Sequence, residues 1–186
     1  LSQAASGYML MFSKALRVND YIRIGEHEGT VMSIGVLSTK IRTPRDEEIN
    51  VPNTVIVGTT TKNFTRLNKD LGAPVTTTVT IGYNAPWRQV HAMLLEAAGR
   101  TQGLRTDPPP FVLQRALSDF YVEYELVGRI DVPLERPYVM TRLHGNVQDV
   151  FNQHGVQILS PHYMTQPAEP VVVDKRNWFA PPAKPD

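Results

Sequence analysis

The sequence contains no cysteine, which excludes disulfides, thiolate metal sites, thiol nucleophiles and cysteine redox chemistry together. It has no large excess of either charge: nineteen Lys and Arg against eighteen Asp and Glu leave a formal net charge of +1. Such a balance argues against a chain whose main task is to neutralise phosphates. What is present is a chain of 186 residues, 41% apolar and 20% charged. That is enough for one large or two small packed domains and too apolar for wholesale disorder. Fifteen prolines mark the seams.

Catalytic patterns are lacking as well. The five histidines, His27, His91, His144, His154 and His162, show neither the H-x-x-x-H nor the H-E-x-x-H spacing of a zinc site. They read as surface or packed residues. Asp46-Glu47-Glu48 lies at a turn, where a solvated acidic tip is the ordinary outcome. No G-x-S-x-G elbow or Gly-rich phosphate loop is present, and the two carboxylates of Gly25–Gly29 (GEHEG) would repel an anion. No enzyme activity, metal or cofactor is expected. Nucleic acid is not expected either: the aromatics of FVLQRALS and FYVEYELVGRI are interleaved with glutamates, the wrong sign for a phosphate backbone.

Residues 1–13 (LSQAASGYMLMFS) carry no charge and end in the apolar GYMLMF. A spanning helix needs about 20 apolar residues, so this stretch is either an amphipathic start to a soluble domain or the last turns of a membrane helix. Lys14 and Arg17 follow at once, as cations do at the cytoplasmic ends of membrane helices. Nothing there reads as a secretory signal, and Leu1 in place of Met suggests a start inside a longer chain.

From Val18 to Phe64 the pattern predicts five short strands, hence a small barrel or strongly bent sheet. Tyr21–Ile24 is one apolar run. Thr30–Thr43 is a long β-branched run broken at Gly35, where a bend or bulge is expected. Ile49 and Val51 alternate, Asn53 is placed to cap a helical turn over Thr54–Val57, and Gly58–Phe64 reads as the last strand. Leu67–Pro74 is a polar connector and the expected domain boundary. Beyond it Val75–Ile81 alternates as a strand. A helix follows Pro86, with Trp87, Val90, Leu94, Ala97 and Ala98 on one face and Gly99 or Gly103 at its end. Phe111–Leu117 and Phe120–Ile130 read as strands, Pro137 opens a second helix with Val139, Leu143, Val147 and Val150/Phe151 buried, and Val156–Leu159 is a closing strand. This β-α-β-β-α-β order predicts two helices on a four-stranded antiparallel sheet. The Pro-rich remainder has one apolar run, Val171–Val173, suited to pairing with another subunit.

In this order and spacing the segments resemble the small-conductance mechanosensitive (MscS-like) channel family, from about Leu1 to about Met164. RVNDYIRIG (Arg17–Gly25) is similar to the family's Arg-x-Gly-Asp/Glu opening strand. Gly29, Val31 and Ile34, then Thr39, Arg42 and Thr43, match Gly-x-Val-x-x-Ile…Thr-x-x-Arg-Thr. VPNTVI (Val51–Ile56) is like the Pro-Asn element, with Pro52 and Asn53. KNFTR (Lys62–Arg66) is like the Asn-Phe/Tyr-Ser/Thr-Arg close, with Asn63, and IGYNAPWRQV (Ile81–Val90) like the Gly-Tyr opening, with Gly82 and Tyr83. Two positions depart: Asn19 stands for the family's glycine, which Asn tolerates because it visits left-handed angles, and Ala15 for its proline.

The resemblance implies an α+β chain: residues 1–13 the end of a pore-lining transmembrane helix, 14–67 an Sm-like five-stranded β-barrel domain, 68–165 a ferredoxin-like domain, and 166–186 a Pro-rich tail whose valines form a possible barrel strand. It implies a homo-oligomer of seven subunits in the inner, cytoplasmic membrane, multi-pass, tension-gated, releasing ions and small osmolytes during hypoosmotic shock. These residues would then form the pore exit and cytoplasmic vestibule. Gly7, Met9, Leu10, Met11, Phe12, Lys14 and Arg17 would lie at the helix end and membrane interface. Met9–Phe12 would either transmit helix tilt to the ring or simply pack against it. The alternative is a soluble ring-forming scaffold, or an RNA-binding module with an Sm-like ring.

Overall fold

The computed structural model describes residues 5–9, 14–67, 70–159, 175–177 and 180–184. The chain forms two compact units, Leu1–Ala73 with Asp131–Pro137, and Pro74–Ile130 with Tyr138–Asp186.

The first unit is a five-stranded antiparallel sheet of order β4-β3-β2-β1-β5. Its strands are β1 (Tyr21–Ile24), β2 (His27–Ile34), β3 (Ser38–Arg42), β4 (Glu48–Pro52) and β5 (Thr61–Asn63), with a short helix α1 (Asn53–Gly58) between the last two. Ile22, Ile24, Val31, Ile41, Val51 and Ile56 close on Leu16 as one core. Each such side chain contributes roughly 1.5–3 kcal/mol by leaving water. Gly25, with φ of 55°, starts a two-residue turn that pairs Ile24 with His27, a place where a left-handed residue fits the strand twist.

Local chemistry moves several expected boundaries. GEHEG is a turn only at Gly25-Glu26, because His27, Glu28 and Gly29 already pair with β1. The long Thr30–Thr43 run is two strands. Gly35 N–H donates to Ser38 O at 2.8 Å and reverses the chain rather than bending it, while the register shift falls between Val31 and Ser33. The expected strand Gly58–Phe64 shrinks to three residues, since the helix runs on to Gly58.

In the second unit the sheet has the order β6-β8-β7, built from β6 (Ala73–Ile81), β7 (Phe111–Leu117) and β8 (Val122–Ile130). The helices α2 (Trp87–Arg100) and α3 (Arg136–Gln153) complete it. Val122, Tyr124, Leu126 and Ile130 are buried from β8, Val90, Met93, Leu94 and Ala97 from α2, and Val139, Leu143, Val147, Val150 and Phe151 from α3. Helix periodicity is thus honoured almost residue by residue. Two expected core residues are exceptions: Phe120 precedes the strand and is exposed, and Trp87, the first residue of α2, is exposed as well. Gly99 does not end α2, which continues to Arg100.

The expected fourth strand is reduced to one antiparallel bridge, Ile81 to Ile158. Leu159 N–H donates to Thr80 O at 2.8 Å, and the Thr80 hydroxyl donates back to Leu159 O at 2.6 Å. Val171–Val173 and Leu10–Phe12 lie outside the described residues. Among the described residues no helix is long and apolar enough to cross a membrane.

Candidate functional site

Asn53 is fully buried and does not cap the helix; Pro52 precedes α1 with no side-chain cap bond. Its amide instead ties down the β2–β3 turn. Nδ2 donates to Gly35 O at 2.8 Å and Val36 O at 3.1 Å, and Oδ1 accepts from the buried Thr39 hydroxyl at 2.8 Å. Its backbone N–H donates to Leu37 O at 3.0 Å. Pro52 supplies the fixed backbone angle that aims the next residue inward, so Pro-Asn works as one unit.

The helical segment at 5–9 rests on that turn through Gly7. A Cβ there would lie 1.8 Å from Val36 O and 2.9 Å from Asn53 Nδ2, so only a residue without a side chain allows this approach. Tyr8 and Met9 point to the outside. Lys14 and Arg17 are exposed, Lys14 with φ of 52°.

A second polar knot closes the β domain. Asp20 Oδ2 accepts from Arg17 N–H at 2.9 Å, Asn63 Nδ2 at 2.8 Å and Arg66 Nη2 at 2.9 Å. Asn63 Oδ1 in turn accepts from the Thr65 and Arg66 amides at 3.1 and 2.9 Å. Asn19 has φ of 71°, the left-handed turn expected of it. A cleft of about 650 Å³ beside the knot is lined by Arg17, Arg66, Asp20 and Asp131 among others; its cations and carboxylates balance.

The remaining motif residues are structural in their surroundings. Gly29 is a strand residue, not a turn residue; a Cβ on it would meet Arg42 O at 2.3 Å and Ile41 Cγ2 at 2.7 Å. Val31 is buried in the core. Arg42 is exposed and donates its Nε to Asp46 Oδ1 at 2.8 Å. Gly82 and Tyr83 belong to the second unit, where the Tyr83 hydroxyl donates to Ser118 O at 2.7 Å.

One cluster escaped the sequence analysis. Glu28, read there as a turn carboxylate, is gripped by Tyr21, Arg23 and Arg136, with Phe64 beneath the two guanidiniums. Burial foremost, then the Glu28 charge and hydrogen bond, push the Tyr21 hydroxyl above its ordinary value, opposed by Arg136 and Arg23. Arg23 and Glu28 are cross-strand partners, and pairing a two-residue turn at Gly25-Glu26 would have revealed them. Nothing in the sequence points to Arg136. In the second unit, His91 stands edge-on to Trp87 and Tyr124, at centroid distances of 5.1 and 5.8 Å. Burial lowers the His91 value and, with a smaller effect of Tyr83, raises Tyr124 to about 12.

The chain thus carries a five-stranded antiparallel β unit followed in sequence by an α+β unit. Residues 1–66 match the family model for the mechanosensitive ion channel beta-domain, and residues 75–158 that for the mechanosensitive ion channel MscS C-terminal region. The chain belongs to the MscS-like mechanosensitive channel family. It is 24% identical over 153 residues to an uncharacterized MscS family protein of Haemophilus influenzae, covering 82% of this chain and 14% of that protein. To the mechanosensitive channel MscK of Escherichia coli it is 28% identical over 127 residues, covering 65% and 11%. The chain therefore spans a small part of these curated relatives. Helicobacter pylori MscS in its closed state shares the fold at a TM-score of 0.62 and 15% identity, over 91% of this chain and 66% of that one. Arabidopsis thaliana MSL1 does so at 0.52 and 16%, over 85% and 58%.

Proposed function

We propose that this chain is the pore exit and vestibule wall of a tension-gated channel in the cytoplasmic membrane, releasing ions and small osmolytes in hypoosmotic shock. In this reading residues 1–13 end the pore helix, 14–67 form a ring beneath it, 68–165 enclose the vestibule, and 166–186 close its base. The observation that carries it is the seat of Gly7 on the Val36 carbonyl and the Asn53 amide. A helix end packed backbone to backbone cannot tilt without moving the turn that Asn53 holds. Lys14 and Arg17, both exposed just beyond, suit anionic headgroups at the membrane surface.

Tension γ favours the form with the larger in-plane area by γΔA, which shifts the open population as a ligand preferring one state would. No residue of this chain is assigned a catalytic role. The sheet supports assembly: β4 and β5 are its two outer strands, and unlike edges that pair head to tail generate closed rings while removing exposed edges. Seven copies are the expected number.

Suction on membrane patches containing the full-length protein tests the reading. Currents that rise with tension are expected, and a Gly7→Val variant that still assembles should need more tension or stay silent. Correctly inserted parent protein that never conducts under tension would overturn it.

A further inference from the structure

The Glu28 carboxylate is held from three directions. Within the β1–β2 hairpin, Arg23 Nε donates to Oε2 at 2.8 Å and its Nη2 completes an ion pair, while the Tyr21 hydroxyl donates to Oε1 at 2.9 Å. The third hold comes from far along the chain: Arg136 Nη1 reaches both oxygens at 3.0 Å. The Phe64 ring lies 4.9 Å from the Arg136 guanidinium and 5.8 Å from that of Arg23. Arg136 is only 9% exposed.

Arg136 sits at a singular place. After residue 73, only Asp131–Pro137 belongs to the first unit, and Arg136 is the first residue of α3, which from Tyr138 onward belongs to the second. The chain returns to the β domain, is fastened at Glu28, and leaves again as a helix. A plain apolar contact would fasten it as well, because well-packed hydrophobic residues commonly replace buried ion pairs without loss of stability. An ion pair differs in that its charges favour one register.

We propose that Glu28 is a releasable post that fastens the 131–137 segment to the β1–β2 hairpin of its own unit, and that this hold resists channel opening. The second half rests on the channel reading above; the first does not. Tension that reaches the β domain through the seat of Gly7 works against the post, so its loss lowers the tension needed. The charges give the cluster an asymmetry. Glu28 accepts from both guanidiniums, so Glu28→Gln removes the charge that both share and loosens the segment. Arg23→Gln keeps the neutral Arg136–Glu28 pair and the fastening.

Hydrogen exchange on the detergent-solubilised full-length protein reads the fastening without any current. In Glu28→Gln the amides of 131–137 should exchange about tenfold faster or more, with the Ile22 and Ile41 strands unchanged. Arg23→Gln should leave 131–137 protected. Should Glu28→Gln fail to fold, Arg136→Ala removes both the charge and the contact with Phe64, leaves Glu28 paired with Arg23, and should show the same selective loss. Unchanged exchange at 131–137, or an equal rise across the whole β domain, overturns the post. In patches, Glu28→Gln should open at lower tension; selective exchange with an unmoved or raised opening tension overturns the gating half. A silent parent with selective exchange would sink the channel reading and leave the fastening standing.

Discussion

Asn53 serves three partners with a single short side chain, the buried Thr39 hydroxyl and the Gly35 and Val36 carbonyls of an exposed turn, and no other residue type offers two donors and an acceptor at that reach. Asn53→Leu strands the buried Thr39 hydroxyl and frees the Gly35 and Val36 carbonyls to water; at roughly 1–3 kcal/mol for a buried unsatisfied group, the β domain should lose about 1–3 kcal/mol. Thermal unfolding should register this as a clear drop in midpoint. The exposed Arg42–Asp46 pair is the contrast, since Arg42→Ala should change stability by about 1 kcal/mol at most. Glycines divide in the same way. Gly29→Val must push into the Arg42 carbonyl, whereas a Cβ on Gly58 meets nothing within 4 Å, so Gly58→Ala should be neutral or slightly stabilising. If Gly29→Val unfolds at the parent temperature, the close approach is not a constraint. The Pro-Asn pair is legible in the sequence, but Asn53 ties down a distant turn where a cap is expected of it. A cap is a local act, and sequence reasoning favours local partners, while the carbonyls that Asn53 serves belong to a different turn.

Elements were read best where burial alone sets their period. The buried stripe of α3 and the alternation of β8 are of this kind, because each side chain's environment repeats with the helix or the pleat. Where a single backbone bond decides, as at Gly35, the same letters fit a bend or a hairpin. The closing strand failed for a related reason: Val156–Leu159 has strand-like residues, but only Ile158 pairs among the described residues. Helix α2 carries a pH signature. Burial of His91 lowers its proton affinity from the ordinary 6.5, so below pH 6.5 the unfolded chain takes up the proton first. Stability is full above that value and falls as the pH drops from 6.5 toward the folded-state value. His91→Phe preserves the aromatic packing between Trp87 and Tyr124 and removes the titration. The melting temperature of the parent should therefore decline on acidification from pH 7 to 5 more steeply than that of the variant. Equal slopes would reject the assignment.

At the scale of the molecule, the sequence's polar connector near residue 70 was easy to see, but the return of 131–137 to the β domain was not. A short excursion leaves no periodicity, and its anchor, Arg136, finds its partner 108 residues away. The assembly is equally invisible in one chain's pattern, yet its geometry invites a direct test. β4 and β5 are the two outer strands of the sheet, so a cysteine on each will meet a neighbour's if the copies form a ring through these edges. This chain has no cysteine of its own, which leaves the background clean once any in the rest of the protein are replaced. Asn50 and Lys62 are exposed residues of these strands. With Asn50→Cys and Lys62→Cys combined, a short bismaleimide should give a ladder of covalent oligomers ending at the seventh rung. Each single variant should stop at the dimer or below, because a head-to-tail contact brings unlike edges together. A single variant that ladders, or a double variant that yields only monomer from protein proven intact in the membrane, would mean that these edges do not join neighbouring copies.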